Sequence, residues 1–104
     1  MSKFVLTSAA HRDLNQIKTY IASQSSPAVA RRVLRNIHAA CRLIASDPGI
    51  GHVREDLTDK PVKFWRVYSY LLVYDPASTP LRVIRLLHGA RDVEHLLEST
   101  AGPL

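Results

Sequence analysis

Residues 62–89 read VKFWRVYSYLLVYDPASTPLRVIRLLHG, and this stretch decides the fold. Its apolar runs are rich in β-branched and aromatic residues, which is typical of strands. The predicted strands are residues 62–67, 70–75 and 81–88. The dipeptide Tyr68-Ser69 must turn between the first two strands, although it is a poor turn former. Segment 75–80, with two prolines, is a clear turn, and Gly89 ends the third strand. Three consecutive strands with short links predict an antiparallel meander.

Upstream of this stretch the spacing of the apolar residues becomes helical. Residues 3–7 alternate and predict a short strand. Apolar side chains at spacings of three and four predict one helix over residues 8–24 and another over residues 27–46. Ser26 is a good N-cap for the second helix, and Pro27 is tolerated at its first position. Two amphipathic helices with a short link predict an antiparallel helical hairpin.

The element order is therefore β-α-α-β-β-β-α, which predicts an α+β domain of two layers. The helical hairpin packs on one antiparallel sheet that includes the N-terminal strand. The last helix is short, begins near Asp92 and carries Val93, Leu96 and Leu97. The predicted core between hairpin and sheet is Leu14, Ile17, Ile21, Leu34, Ile37, Ile44, Val73 and Ile84. One domain covers residues 1–98, and residues 99–104 form a frayed tail.

The composition is that of an ordinary globular protein, with 46% hydrophobic and 22% charged residues in 104. The single cysteine, Cys41, cannot form an internal disulfide, which excludes a disulfide-stapled secreted fold. No apolar stretch is long enough to span a bilayer, and the N-terminus has no signal-peptide pattern. We therefore expect a cytoplasmic protein without a membrane partner.

The charge is concentrated in the first half of the chain. Residues 1–46 hold seven Lys or Arg against one acid, Asp13, for a net charge of +6, whereas residues 47–104 carry a net charge of −1. Within the second helix, a narrow stripe is formed by Arg31, Arg35, His38 and Arg42. A basic field of this kind attracts acidic partners, either nucleic acid or an acidic protein segment. The alternative is a solvated helix surface.

The sequence contains no convincing catalytic or cofactor site. The five histidines have no metal-ligand spacing, no phosphate-binding loop is present, and Cys41 lies on an apolar helix face. Metal-free RNA cleavage would need a base, an acid and a cation near the phosphate. The residues that could supply such groups are Arg66, Tyr74, Arg85, His88 and Arg91. Each also has an ordinary structural role as a strand or turn residue. We therefore assign no catalytic residue, no metal and no cofactor.

Four segments of the chain resemble the ParE branch of the RelE/ParE toxin superfamily. They are Ala10-x-x-Asp13-Leu14-x-x-Ile17-x-x-Tyr20-Ile21, Pro48-x-x-Gly51-x-x-Arg54-x-Asp56-Leu57, Tyr70-Leu71-Leu72-Val73-Tyr74, and residues 81–92. The most specific part is the ending His88-Gly89-x-Arg91-Asp92. Each segment is weak alone, but the four occur in the family's order and on the expected elements. Together they cover residues 3–98.

The resemblance implies a helical hairpin packed on a twisted antiparallel sheet. It implies the toxin of a bacterial type II toxin–antitoxin system, of the kind used in plasmid stabilisation. Such toxins poison DNA gyrase by binding, without catalysis, and so block replication. The resemblance also implies a ParD-like antitoxin as partner in a hetero-oligomer, with no direct nucleic-acid specificity.

Two alternatives remain. The RNA-cleaving RelE branch, a ribosome-dependent mRNA endoribonuclease, shares the fold and tends to carry an Arg where this chain has Leu71. It also tends to place basic or aromatic residues in the final segment, where this chain has residues 94–97, EHLL. Both departures favour gyrase poisoning. The other alternative is a nucleic-acid-binding adaptor that uses the arginine stripe, but it lacks an aromatic platform or a reading helix.

Two groups of residues are the predicted binding sites. For the gyrase target they are Arg85, His88 and Arg91. These cluster where the last strand gives way to the short helix, and Arg bonds carboxylates bidentately. The alternative for Arg91 is that it pairs with Asp92 at the helix cap. For the antitoxin the predicted residues are Arg31, Arg35 and Arg42. The acidic, disordered antitoxin tail would fold along the hairpin or pair with a sheet edge.

Overall fold

The computed structural model describes residues 3–89 and 96–97. Its elements are β1 (Phe4–Leu6), α1 (Ser8–Gln24), α2 (Pro27–Ser46), a short 3-10 turn (Pro48–Ile50), β2 (Lys63–Val67), β3 (Tyr70–Asp75) and β4 (Leu81–His88). The predicted strands and the two long helices are confirmed to within one residue at each end. Of the predicted C-terminal helix, only Leu96 and Leu97 are described. Asp92, Val93 and the tail 99–104 lie outside the described residues.

Side-chain caps start both helices where the sequence predicts them. The Thr7 hydroxyl accepts a hydrogen bond from the Ala10 amide at 3.1 Å and donates one to the Ile84 carbonyl at 2.7 Å. The Ser26 hydroxyl accepts from the Val29 amide at 3.1 Å. These bonds satisfy amides that would lack a partner in the first helical turn. Thr7 therefore begins α1 and also ties that helix to β4.

The sheet contains four strands in the order β1-β4-β3-β2. The meander β2–β3–β4 is antiparallel as predicted, but β1 runs parallel to β4, so the sheet as a whole is mixed. A parallel pair needs a long crossover connection, and here the connection from β1 to β4 contains the helical hairpin, β2 and β3. The β1–β4 pairing covers only Leu81 to Val83. Beyond Val83, side chains of α1 and its cap occupy the outer edge of β4.

Strand β4 contains one extra residue. Val73 is paired with Arg85 and Tyr74 with Val83, so Ile84 forms a β-bulge. A bulge interrupts the alternation of side chains along a strand and bends it locally. Across this bulge, Leu81, Val83 and Leu86 pack under the helices, whereas Ile84 and Leu87 pack on the opposite face of the sheet.

The turn between β2 and β3 falls at Tyr68-Ser69, as predicted. Tyr68 has a φ of 58°, in the left-handed region that favours glycine. The turn is held from three sides: Asn36 Nδ2 donates to Tyr68 Oη, Arg66 Nε donates to the Tyr68 carbonyl at 3.0 Å, and the Gly89 amide donates to the Ser69 carbonyl at 3.0 Å. Contacts with α2, β2 and the end of β4 therefore fix a turn whose own residues do not favour it.

One core lies between the helical hairpin and the sheet. Its buried members include Ile17, Ile37, Ile44, Leu72 and Tyr74. The partly buried side chains packed against this cluster include Leu14, Ile21 and Leu34. The core prediction is therefore confirmed for the helix residues, although these three are less buried than expected.

A second core lies on the opposite face of the sheet, which we call the far face. Its buried members are Val62, Phe64, Leu71, Val73, Ile84, Leu87 and Leu97, with Leu57 and Leu96 packed against them. The prediction that Val73 and Ile84 lie between hairpin and sheet is therefore wrong. Both are fully buried, but on the far face, because the sheet is covered on both sides.

Candidate functional site

The three predicted antitoxin-binding arginines lie on one surface. Arg31, Arg35 and Arg42 are exposed on α2, and they line a shallow groove of about 490 Å³ with Leu34 and His38. The stripe expected from helical geometry is therefore confirmed. The half-buried Leu34 side chain lies in this groove with the three positively charged arginines around it. Such a surface suits a segment that carries both apolar and acidic side chains.

This basic groove lies beside an edge of the sheet. The His38 ring contacts Phe4 of β1 edge-on, with 5.8 Å between ring centroids, and β1 is an outer strand. The Lys3 carbonyl and the Thr7 amide bond to β4 at 3.1 Å. Because backbone groups alternate in direction along a strand, those of Phe4 face away from β4. A peptide bound in the groove would thus lie beside the free edge of β1, and an extended peptide can add to such an edge as a further strand.

Two of the three predicted target-binding residues line a different cavity. Arg85 and His88 belong to a cleft of about 540 Å³ between α1 and the ends of β3 and β4, together with Tyr20, Tyr70 and Leu96. The Tyr70 and His88 rings are 5.2 Å apart. Burial, and to a lesser degree the neighbouring Tyr20, raises the pKa of Tyr70 above its usual value. The third residue, Arg91, lies outside the described residues.

The Arg85 guanidinium points into the protein rather than outward. Its side chain is 13% exposed and that of its partner Asp13 is 11% exposed. Arg85 Nε donates to Asp13 Oδ2 at 2.7 Å, and Nη2 donates to Oδ1 at 3.0 Å. Two further bonds extend this pair, one from the Leu86 amide to Asp13 Oδ2 at 3.0 Å and one from Arg85 Nη1 to the Leu96 carbonyl at 2.8 Å. Arg85 thus forms the floor of the cleft.

Sequence reasoning did not assign a role to Asp13. The signal was present, because Asp13 is the only acid in residues 1–46 and stands between Ala10 and Ile17 in the apolar stripe of α1. A carboxylate on the buried face of a helix is costly without a partner. Such a position therefore predicts an ion pair, although it does not identify the partner.

Two further candidate groups, Tyr74 and Cys41, are enclosed by the fold, whereas Arg66 is exposed on β2. Tyr74 is fully buried, its hydroxyl donates to the Pro48 carbonyl at 2.6 Å, and it accepts from the Gly51 amide at 3.0 Å. Burial raises the pKa of the Cys41 thiol to about 12, so the reactive thiolate is disfavoured. Both side chains belong to the core between the hairpin and the sheet.

Within residues 3–89 and 96–97, no three His, Cys, Asp or Glu side chains are grouped as potential metal ligands. None of the helices in this part of the chain combines the length and apolar composition needed to cross a membrane.

Comparison with known proteins identifies first the fold and then the family. The chain is similar to a solved structure described as the chromosomal ParDE toxin–antitoxin system from P. aeruginosa. The TM-score is 0.71 and the identity 15%, with 86% of this chain and 97% of that chain covered. No curated protein matches the chain. The family model described as the ParE toxin of the type II toxin–antitoxin system parDE matches residues 4–93. The chain therefore belongs to the ParE toxin family.

Proposed function

We propose that this toxin poisons DNA gyrase by binding, blocks replication, and is neutralised by a ParD-like antitoxin. Binding is favoured over catalysis by one observation, the hydrogen bonds that the Tyr74 and Arg85 side chains make. The hydroxyl of Tyr74 and the guanidinium of Arg85 are both bonded inside the fold. A general acid or base must come within hydrogen-bond reach of the reacting group, which the fully buried Tyr74 does not do. A ribosome-dependent endoribonuclease of the RelE type is therefore less favoured.

The cleft at the end of β4 is the proposed target-binding surface. His88 is exposed there, and its ring lies tilted against the partly exposed Tyr70 ring, so both can contact a protein partner directly. Arg85 contributes from the cleft floor. Arg91 remains a proposed contact on the strength of the family motif that contains it, and pairing with Asp92 remains the alternative.

The basic groove on α2 is the proposed antitoxin-binding surface. Its charge fits an acidic segment that lies along the helix, with an apolar side chain on Leu34 and carboxylates at Arg31, Arg35 and Arg42. Part of the same segment can pair with the adjacent β1 edge. The two surfaces are lined by different residues, so the proposal assigns neutralisation and toxicity to separate places. Because the proposed target is gyrase, we also propose that the protein acts in the cytoplasm.

The decisive experiment measures both candidate activities of the purified toxin. We expect loss of DNA supercoiling by gyrase and no cleavage of messenger RNA on translating ribosomes. The matched variant is His88→Ala, because the exposed His88 ring can be removed without opening the core. It should weaken supercoiling inhibition while thermal unfolding stays unchanged. A protein that spares gyrase but cuts ribosome-bound messenger RNA would establish the RelE-type activity instead.

A second experiment tests the groove. Arg35→Glu and Arg42→Glu should each slow association with the antitoxin, and the loss should shrink as salt is added, because rim charges mainly act on association rate. The control is Arg32→Glu, which makes the same charge change at an exposed position of α2 outside the groove. Equal effects at positions 32 and 35 would show that only net charge matters and that the groove is not the docking site.

A further inference from the structure

We propose that Asp13 and Arg85 form a positioning pair for the cleft, which holds the Leu96 backbone in place as one of the cleft walls. The inference rests on the proposed function, because it concerns the surface assigned to the target. It changes the role expected of Arg85 from a residue that touches the target to one that shapes the site.

The first support is that one guanidinium connects three parts of the chain. Its Nε and Nη2 atoms bind the Asp13 carboxylate of α1, its Nη1 atom binds the Leu96 carbonyl at 2.8 Å, and its backbone belongs to β4. Asp13 adds a bond to the Leu86 amide, on the part of β4 that β1 does not reach. The carboxylate thus fixes both the direction of the guanidinium and the strand edge that carries it.

The second support is the place where Leu96 and Leu97 lie. Leu96 lines the cleft, while the neighbouring Leu97 is buried on the far face of the sheet. The Leu96 carbonyl belongs to the peptide between these two residues, so the bond from Arg85 fixes both the cleft wall and the side chain that anchors it in the far-face core. Movement of this peptide would change the shape of the cleft without disturbing the core under the helices.

The third support is the chemistry that the position requires. The planar fork of Arg presents several donors in fixed directions, so it can bind a carboxylate on one side and a carbonyl on another. Lys offers a single nitrogen and cannot occupy both sites. Arg85→Lys is therefore expected to keep the charge and the attraction to Asp13 while losing the hold on Leu96.

The chain contains a matched control for this chemistry. Arg54 Nε and Nη2 bind the two carboxylate oxygens of Asp56 at 3.0 and 2.8 Å, so the pair has the same bidentate form. Its side chains are 39% and 62% exposed, and the two residues are separated by only one other residue. Arg54→Lys thus makes the same substitution in the same kind of pair, away from the cleft.

The experiment compares Arg85→Lys with Arg54→Lys in three measurements. For Arg85→Lys we expect supercoiling inhibition to weaken about tenfold, because the target must then order a wall that is no longer held. We expect antitoxin affinity to stay unchanged and hydrogen exchange to accelerate in the peptide containing residues 96–97 while α1 stays protected. Arg54→Lys should change none of the three. Equal inhibition by Arg85→Lys and the unaltered toxin would overturn the proposal.

A second variant keeps the test valid if Arg85→Lys does not fold. Leu97→Ala weakens the other anchor of the same peptide and leaves the ion pair intact, so it should also reduce inhibition and keep antitoxin affinity. Full inhibition by a folded Leu97→Ala protein would count against positioning. If the unaltered toxin does not inhibit gyrase, the proposed target is wrong. The same variants can then be compared by how strongly their expression arrests growth. Positioning still predicts that Arg85→Lys arrests growth less than Arg54→Lys.

Discussion

Both faces of the sheet carry a buried cluster, but the two faces are covered in different ways. The helix face is covered by α1 and α2, which pack Ile17, Ile37 and Ile44 onto the strands. The far face is covered by Leu57 from the loop before β2 and by Leu96 and Leu97 after β4. Among the described residues, one cover is thus two capped helices, and the other consists of the side chains of Leu57, Leu96 and Leu97. The helix face carries the basic groove, whereas the cover of the far face also forms a wall of the cleft.

The two covers therefore differ in how much each contributes to global stability and in how readily each opens locally. A helix anchored by many core contacts opens only with the whole domain, whereas a short cover with few anchors can open locally at much lower cost. We therefore expect substitutions under the helices to change global stability, and substitutions in the far-face cover to act on the cleft.

The largest expected effect is on the helix face. Ile37 is buried between α2 and the sheet, so Ile37→Ala should lower the free energy of unfolding by about 2–5 kcal/mol, through lost burial and the cavity left behind. A urea titration followed by circular dichroism measures it. A loss below about 0.5 kcal/mol would place Ile37 outside the core and remove the basis of the comparison.

The next effect concerns the contact that joins the central loop to the helix-face core. A Cβ atom on Gly51 would clash with the buried Tyr74 hydroxyl and lie 2.9 Å from two ring carbons. Gly51→Ala should therefore cost about 2 kcal/mol, since the ring must shift and its hydrogen bonds weaken.

Gly49→Ala is the control for Gly51→Ala, because the nearest atom to its added Cβ would be 3.8 Å away. Thermal unfolding of the two variants compares them directly. We expect Gly49→Ala to change stability by less than about 0.5 kcal/mol. Similar losses at both positions would show that Tyr74 is not what requires the glycine.

A smaller effect is expected on the far face. Leu57 is only partly buried, so Leu57→Ala should cost about 1 kcal/mol, clearly less than Ile37→Ala under the same conditions. Denaturant titrations of both variants give the comparison. A cost equal to that of Ile37→Ala would mean that the far-face cover is as firmly integrated as the helices.

The smallest effect is a pH dependence that comes from the helix face. The Cys41 thiol has a pKa raised by burial from 9.0 to about 12. The unfolded chain therefore ionises first as the pH rises, and this favours the unfolded state. The free energy of unfolding should fall by about 0.8 kcal/mol between pH 8 and pH 9.5. In Cys41→Ala this fall should be much smaller, because only groups such as Tyr70 and Tyr74, whose pKa values burial also raises, still contribute. An equal fall in the variant would assign it to other groups.

The sequence predicted the elements well because their signals are local. Ser26-Pro27 fixes the start of α2, and apolar spacing fixes its buried face. What it did not predict was the second covered face. Leu71-Leu72-Val73-Tyr74 is a continuous apolar run rather than an alternating one, which is the pattern of a strand buried on both sides. In a domain of only two layers, Leu71 and Val73, which face away from the helices, would be exposed to solvent.

The candidate sites differ in the same way. The stripe of Arg31, Arg35 and Arg42 could be predicted because helical geometry repeats regularly, and the three residues do share one groove. The position of Arg85 could not, because it depends on the bulge at Ile84 and on a partner 72 residues away in the chain. Local patterns locate residues on elements, whereas ion pairs between distant segments follow from how the elements pack.

The strand order also determines at which point during synthesis the β1 edge and the cleft can form. Strand β4 lies between β1 and β3, yet it follows the other three strands in the chain. As the ribosome releases the chain from its N-terminus, Thr7 and Asp13 emerge long before Ile84 and Arg85, the residues that they bond. Neither the strand edge beside the basic groove nor the floor of the cleft can form until β4 has been made. A translation product interrupted before β4 therefore lacks this strand edge and the cleft floor, and we expect it not to be toxic.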